Sequence, residues 1–232
     1  METQSLPFNA LVIGASGGIG AAVVEALENS PRCAGVRTLS RSHDRFDITD
    51  ETAIAAAADT LAADGAVFDL IFDATGVLVS DGERPEKAFS ELNPAAMAAA
   101  FAVNAAGPAL LMKHLAPLLS KDRKSVFATL SARVGSIGDN RLGGWMSYRA
   151  SKAALNQLVR CAAVEFARKN PNAVIVALHP GTIETSLTRA FAKGRYTATP
   201  AEAARNMLAV LDSLTPAESG GFFDYAGKEI PW

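Results

Sequence analysis

A chain of 232 residues with 22 basic and 24 acidic side chains carries a formal charge of −2, and its one short basic stretch, Lys121, Arg123 and Lys124, is no nucleic-acid footprint. Hydrophobic residues make up 49% and charged residues 20%, a globular composition able to bury a sizeable core. Cys33 and Cys161 lack a metal-ligand spacing and read as two reduced thiols.

Residues 1–17, METQSLPFNALVIGASG, have neither the basic region nor the cleavage site of a secretory signal. No apolar run is expected to reach the length of a membrane span, and the expectation is a cytoplasmic protein with no membrane partner.

In chain order, apolar runs at 8–13, 34–39, 67–73, 125–130, 173–178 and 221–225 read as strands, and 44–47 as a brief further one. Helical patterns alternate with them at about 18–29, 50–63, 94–119, 148–169 and 200–214. Pro94 and Pro200 suit the first turns of two of these helices. The Ala-rich stretch 53–66 reads as a helix packed closely on a sheet. The alternation predicts an α/β fold: a single doubly wound Rossmann-type domain over residues 1–232, with a parallel sheet of about seven strands and helices on both faces. No internal repeat or Pro/Gly/Ser linker divides it.

Directly after the first strand comes Gly14-Ala15-Ser16-Gly17-Gly18-Ile19-Gly20, running into a helix. Glycines there allow a sharp turn and let a pyrophosphate lie against bare backbone at the positive end of that helix. The second strand ends in TLSRS, where a free ribose 2′-hydroxyl would call for Asp or Glu. Ser40 and Arg41 stand there instead and can hydrogen-bond a 2′-phosphate, so NADP(H) is favoured over NAD(H). The plain alternative is that Arg41 is a solvated loop charge.

Tyr148 and Lys152 are four residues apart, which puts phenol and ammonium on one helical face. That spacing alone also describes two ordinary surface residues. His43, His114 and His179 are scattered and form no ligand cluster, so no metal is expected.

Taken together, GASGGIG (14–20), FDITD (46–50), VNAAGP (103–108), YRASK (148–152) and HPGTIET (179–185) resemble the short-chain dehydrogenase/reductase family over nearly the whole chain. Within it, SARVGSIGDN, GGWMSYRASKAALN and the ending GGFFDYAGKEIPW are similar to the C-factor and sniffer-like carbonyl reductase subgroup. The resemblance implies a catalytic set of Tyr148, Lys152, Asn104 and a Ser just beyond the strand 125–130. It also implies that Gly14, Ser16, Gly18, Ile19 and Gly20 cradle the cofactor, that Asp47 contacts adenine, and that Ala74 and Gly76 approach the ribose. Tyr148 and Lys152 would adjoin the nicotinamide, with Pro180, Gly181, Ile183 and Thr185 closing over it.

Chemically, Tyr148 serves as general acid in carbonyl reduction and as base in reverse, and a nearby ammonium favours its phenolate. Anchoring the Ser on the strand end selects Ser131; anchoring on Gly135 puts Ala132 there, and Ser136 is the next hydroxyl along. Ser131 is expected. Asp73 stands where the family usually has Asn, and it is expected to accept backbone N–H bonds.

Trp145 and Met146 are candidate pocket residues, with packing under the loop as the alternative. Small residues of the helix from 148 suggest a homodimer or homotetramer, or simply packing on the chain's own sheet. The expected function is reduction of an aldehyde or ketone, or oxidation of the matching alcohol. The alternative is a cofactor-binding signalling protein of C-factor type with little turnover. The small-molecule substrate itself carries no sequence signature.

Overall fold

The computed structural model describes residues 7–79, 84–192 and 194–232. Six parallel strands form the sheet: β1 (Phe8–Ile13), β2 (Cys33–Leu39), β3 (Leu70–Asp73), β4 (Ser125–Leu130), β5 (Ala173–His179) and β6 (Phe222–Asp224). Their spatial order is β2-β1-β3-β4-β5-β6, so chain progression reverses direction at the β1/β3 pair. In open α/β sheets that reversal opens a ligand crevice beyond the carboxyl ends of the strands. Ile13, the last residue of β1, pairs with Leu39 on one side and Asp73 on the other, which brings three strand ends to one level.

The strands are apolar on both faces because helices cover both. Side-chain alternation sorts them cleanly. Leu11, Ile13, Ile71, Phe127 and Ile175 pack on one face with Ile54, Leu111, Leu115, Leu155 and Val159. Ala10, Val12, Phe72, Ala128 and Val176 pack on the other with Val23, Leu27, Ala203 and Met207.

The helices are α1 (Gly18–Glu28), α2 (Arg41–Asp44), α3 (Glu51–Ala63), α4 (Pro94–Phe101), α5 (Gly107–Leu115), α6 (Met146–Phe166) and α7 (Pro200–Ser213). Asp50 caps α3 by accepting from Thr52 and Ala53 N–H, and Thr199 with Glu202 forms a capping box on α7.

Three expectations need correction. The brief strand at 44–47 is absent, which makes six strands among the described residues rather than seven. There Ser40 caps α2, Arg45 turns left-handed at φ 54°, and Phe46 N–H returns to the Ser40 carbonyl. The backbone is closed on itself, so burying Phe46 does not require a ladder.

The helix expected at 94–119 is interrupted by a π-turn at Ala102–Ala106 and ends in a 3-10 turn at Ala116–Leu118. Pro108 has no N–H for the Asn104 carbonyl four residues back, and Gly107 N–H bonds to Ala102 O instead.

That run, Pro94–Leu118, does have the length and hydropathy of a membrane span, with a mean of 1.6. Its apolar character serves the core: Leu111, Met112, Leu115 and Ala116 are buried against the sheet, while Lys113 and His114 reach Glu51 on α3.

Candidate active site

The loop after β1 begins at Gly14, with φ 78°, and Gly17 N–H returns to the Gly14 carbonyl at 3.0 Å. A Cβ on Gly20 would lie 2.2 Å from the Gly14 carbonyl oxygen, so α1 meets the loop at backbone contact. Gly17 caps α1 with no side-chain hydrogen bond. The helix therefore presents first-turn N–H groups over a bare cradle, which suits a dinucleotide's pyrophosphate. Gly18 faces Thr185, whose Cγ2 would lie 2.9 Å from an added Cβ. Ser16 is exposed on the loop.

A cavity of about 790 Å³ opens at the carboxyl ends of the strands. Gly18, Ile19, Ala74, Gly76, Ser131, Tyr148, Lys152, Pro180, Gly181, Ile183 and Thr185 all line it. Gly14 and Gly20 shape the loop behind this wall; Ser40, Arg41, Asp47 and Asn104 also lie outside the lining.

At the end of β2, Ser40 is buried and committed locally: its N–H and hydroxyl both donate to the Asp44 carboxylate, at 2.7 and 3.2 Å. Arg41 remains exposed. Asp47 accepts from Thr49 N–H and hydroxyl, which holds its carboxyl below the usual range, with Arg41 adding to the effect.

Asn104 is fully buried under the cavity. Its Oδ1 accepts from Val77 N–H at 2.9 Å, and its Nδ2 donates to Val77 O at 2.8 Å and to Ser151 Oγ at 3.1 Å. The side chain thus clamps the segment after β3 to α6. Added to Gly76, a Cβ would sit 3.3 Å from both Asn104 Oδ1 and Lys152 Nζ, so this glycine keeps the cavity floor open above both groups.

On α6, Tyr148 and Lys152 share one face as their spacing predicts. Burial pushes the phenol up to about 12 and the ammonium down to about 8. No hydrogen bond joins the pair: Lys152 Nζ donates to Leu130 O at the end of β4, at 2.8 Å. Trp145 precedes the helix in a left-handed conformation, φ 52°, its N–H bonded to Glu86 O at 2.5 Å. Its ring stands edge-on to Tyr148 and to Phe191, with centroids 6.4 and 6.2 Å away, and lines the cavity; Met146 does not.

Ser131 leaves β4 at the cavity wall, and its hydroxyl lies 2.6 Å from Asn156 Oδ1. Asn156 Nδ2 is buried without a partner among the described residues. Ser136 is turned away, accepting from Asp139 N–H. Asn156 escaped the sequence reading, although it continues the Tyr148, Lys152 row by one more helical turn.

Asp73 ends β3 fully buried. As expected it accepts a backbone N–H, from Thr75 at 2.9 Å, and also the hydroxyls of Thr75 and Thr129 at 2.6 and 2.7 Å. Burial raises its pKa, opposed by these bonds and by the Lys152 charge. Unfolded Asp73 ionises in the ordinary Asp range and folded Asp73 ionises later. The folded state therefore holds the extra proton in between, and stability falls as pH rises through that window. Asp73→Asn removes the titration, so the Tm difference, variant minus wild type, should grow with pH there in calorimetric scans at fixed ionic strength. A constant difference assigns the pH dependence to other groups.

Beyond β5, His179 is the last strand residue; burial lowers its imidazole to about 4, so it is neutral at physiological pH. The segment that follows is pinned at its neck. Ile183 bridges Ala198, Thr197 N–H bonds to Thr182 O at 2.7 Å, and Gly181, φ 89°, lies against Thr197. Thr188 Oγ1 donates to Ile183 O and accepts from Thr185 N–H.

A family profile described as enoyl-(acyl carrier protein) reductase matches residues 19–221. The chain is 38% identical over 146 residues to C-signal of Myxococcus xanthus, covering 62% of this chain and 84% of that one. It is 31% identical over 186 residues to 1-hydroxy-2-glutathionyl-2-methyl-3-butene dehydrogenase of Rhodococcus sp., covering 80% and 78%. Among solved structures it is similar to NADPH-bound carbonyl reductase from chicken fatty liver, with TM-score 0.84, 24% identity, and 100% and 97% of the two chains covered. It is also similar to a short-chain dehydrogenase/reductase of Burkholderia multivorans with bound NADP, with TM-score 0.77, 26% identity, and 98% and 100% covered.

Proposed function

This chain belongs to the short-chain dehydrogenase/reductase family of NAD(P)-dependent oxidoreductases, and from that premise we propose that it is an NADP(H)-dependent carbonyl reductase, reversible as an alcohol dehydrogenase, with Tyr148 as general acid and base. The observation that carries the reading is the row Tyr148, Lys152, Asn156 on α6, set against Ser131 and Gly76 at the cavity floor.

The cofactor supplies the hydride. Gly14, Ser16, Gly18, Ile19 and Gly20 would cradle it, and Ala74, Gly76, Pro180, Gly181, Ile183 and Thr185 would line its nicotinamide half. Tyr148 carries its proton at neutral pH and gives it to the carbonyl oxygen as negative charge builds there. Lys152 supplies positive charge beneath the phenol, and Asn104 holds the floor that keeps Lys152 open to the cofactor.

Ser131 helps bind the substrate oxygen through its hydroxyl proton. With the Asn156 amide turned over, its Nδ2 donates to Ser131 Oγ and frees that proton for the cavity. The exchange also replaces an orphan buried donor with an orphan acceptor, the less rare of the two. Asn156→Asp can only accept and turns the hydroxyl away. It should lower kcat about tenfold beside Ser131 and cost little more in a Ser131→Ala background. Equal losses in both backgrounds would refute the coupling.

For cofactor choice, Arg41 is the group at the end of β2 that stays available, since Ser40 is engaged by Asp44. Arg41→Ala should weaken NADPH binding roughly tenfold or more while changing NADH binding little. Equal loss of both in calorimetric titrations refutes the 2′-phosphate assignment. A homodimer through the outer face of α6, where Cys161 and Val164 are exposed, is the proposed assembly, measurable by light scattering.

The overall test is NADPH consumption with a panel of aldehydes, ketones and quinones. A protein that only carries the nucleotide, as the signalling alternative holds, would bind NADPH and turn over none of them.

A further inference from the structure

We propose that the substrate carries an oxyanion, carboxylate being the type case, on an apolar body at the end away from its carbonyl; this rests on the carbonyl-reductase reading above. Four arginines line the cavity, Arg133, Arg141, Arg149 and Arg195, against a single carboxylate among the described residues, Asp139. The chain as a whole has charge −2, so this excess is local to the cavity.

The one carboxylate of the lining is already taken. Arg133 bonds Asp139 at 3.3 Å and Asp224 at 3.0 Å, which neutralises that guanidinium and consumes Asp139. The other three have no acidic partner among the described residues. Among the described residues Arg149 donates only to neutral carbonyls, Gly143 O at 3.2 Å, Gly144 O at 2.9 Å and Val134 O at 3.3 Å. It is half-buried, and desolvation lowers its pKa. Among the described residues the Arg141 guanidinium hydrogen-bonds only the Asn140 carbonyl, at 3.4 Å, and Arg195 makes no side-chain bond.

The cofactor does not need these charges. Its phosphates belong at the loop after β1 and the end of β2, whereas all four arginines follow β4 or β5 on the opposite half of the sheet. Between them the wall is apolar, with Val134, Leu142, Trp145 and Phe191. Guanidinium groups bind carboxylate and phosphate through paired hydrogen bonds, and a cleft lined by one sign of charge draws in anions; here Arg149 is half-buried while Arg141 and Arg195 are exposed, so their attraction is open to screening by salt. A molecule with an apolar middle and an anionic end satisfies both features, and binding it would place its carbonyl toward Tyr148.

The experiment compares 4-carboxybenzaldehyde with its methyl ester on the full chain with NADPH, reading kcat/KM and, separately, binding by tryptophan fluorescence. A third probe, 4-formylphenyl phosphate, distinguishes phosphate from carboxylate as the preferred oxyanion. Preference for an anionic aldehyde over the ester should be about tenfold or more, shrink with added KCl, and collapse toward unity in Arg141→Gln/Arg195→Gln. Ester turnover equal to or better than that of both anionic aldehydes overturns the proposal while sustaining the reductase. If no aldehyde is reduced, the reductase reading fails by itself and binding decides: tighter binding of an anionic probe, lost in the double variant, upholds the anion site, and equal binding refutes it.

Discussion

Tyr148→Phe is expected to lower kcat/KM for carbonyl reduction roughly 10²–10⁴-fold with stability and NADPH affinity intact. No protein group among the described residues hydrogen-bonds the phenol oxygen, so its removal strands no partner. The ring keeps its edge contact with Trp145 at 6.4 Å and its place on α6. What disappears is the proposed proton donor. Because burial holds the phenol up to about 12, wild-type reduction should vary little below the Lys152 value of about 8 and weaken above it as that charge is lost, whereas the phenolate that alcohol oxidation needs becomes more populated as pH rises. Measuring both directions in both proteins checks the assignment. If the Tyr148→Phe variant kept activity within a few-fold of wild type, another acid, or solvent, would be delivering the proton.

The second large effect concerns Gly20→Ala, where two terms of opposite sign compete. Ala within a helix gains about 0.8–1 kcal/mol over Gly, and Gly20 lies inside α1. Against this, the new methyl would sit 2.2 Å from the Gly14 carbonyl oxygen and 2.8 Å from its carbon. Both are backbone atoms of a residue held at φ 78° beside Ala74, so neither can swing aside. Overpacking of this kind costs about 1–3 kcal/mol and sometimes more, and contact with rigid backbone places it at the upper end. The clash wins by about 2 kcal/mol, equivalent to a Tm lower by about 4–8 °C for a chain of this size. Since the displaced atoms belong to the loop after β1, NADPH affinity should fall as well. Calorimetry without and with NADPH separates the two losses. A variant that melts higher than wild type would show that α1 can move off the loop, and the cradle reading would fail.

Much of this could be read along the chain because it is local. The strand runs at 8–13 and 125–130 coincide with β1 and β4, since a continuous apolar stretch bounded by turn residues has few other uses in an α/β chain. Gly14 to Gly20 and the four-residue step from Tyr148 to Lys152 are equally local, one set by backbone reach and the other by helical pitch. The expectation for Asp73 also held, because a carboxylate at a strand end finds the N–H two residues on.

Other features depend on residues distant in sequence, and only the tertiary structure decided them. Whether 44–47 becomes a strand turned on Asp44 reaching back to Ser40, which also committed the hydroxyl expected at the cofactor. The direction of the Ser131 hydroxyl depends on Asn156, twenty-five positions away. Lys152 turns to Leu130 O rather than to Tyr148 because burial makes an unpaired ammonium costly and the end of β4 offers the acceptor. The arginines at 133, 141, 149 and 195 are unremarked surface charges until β4 and β5 lie side by side and their exits form one wall. Periodicity and spacing record which face a residue occupies; which partner it meets there is set by packing between elements, and that information is not carried by any single stretch of the chain.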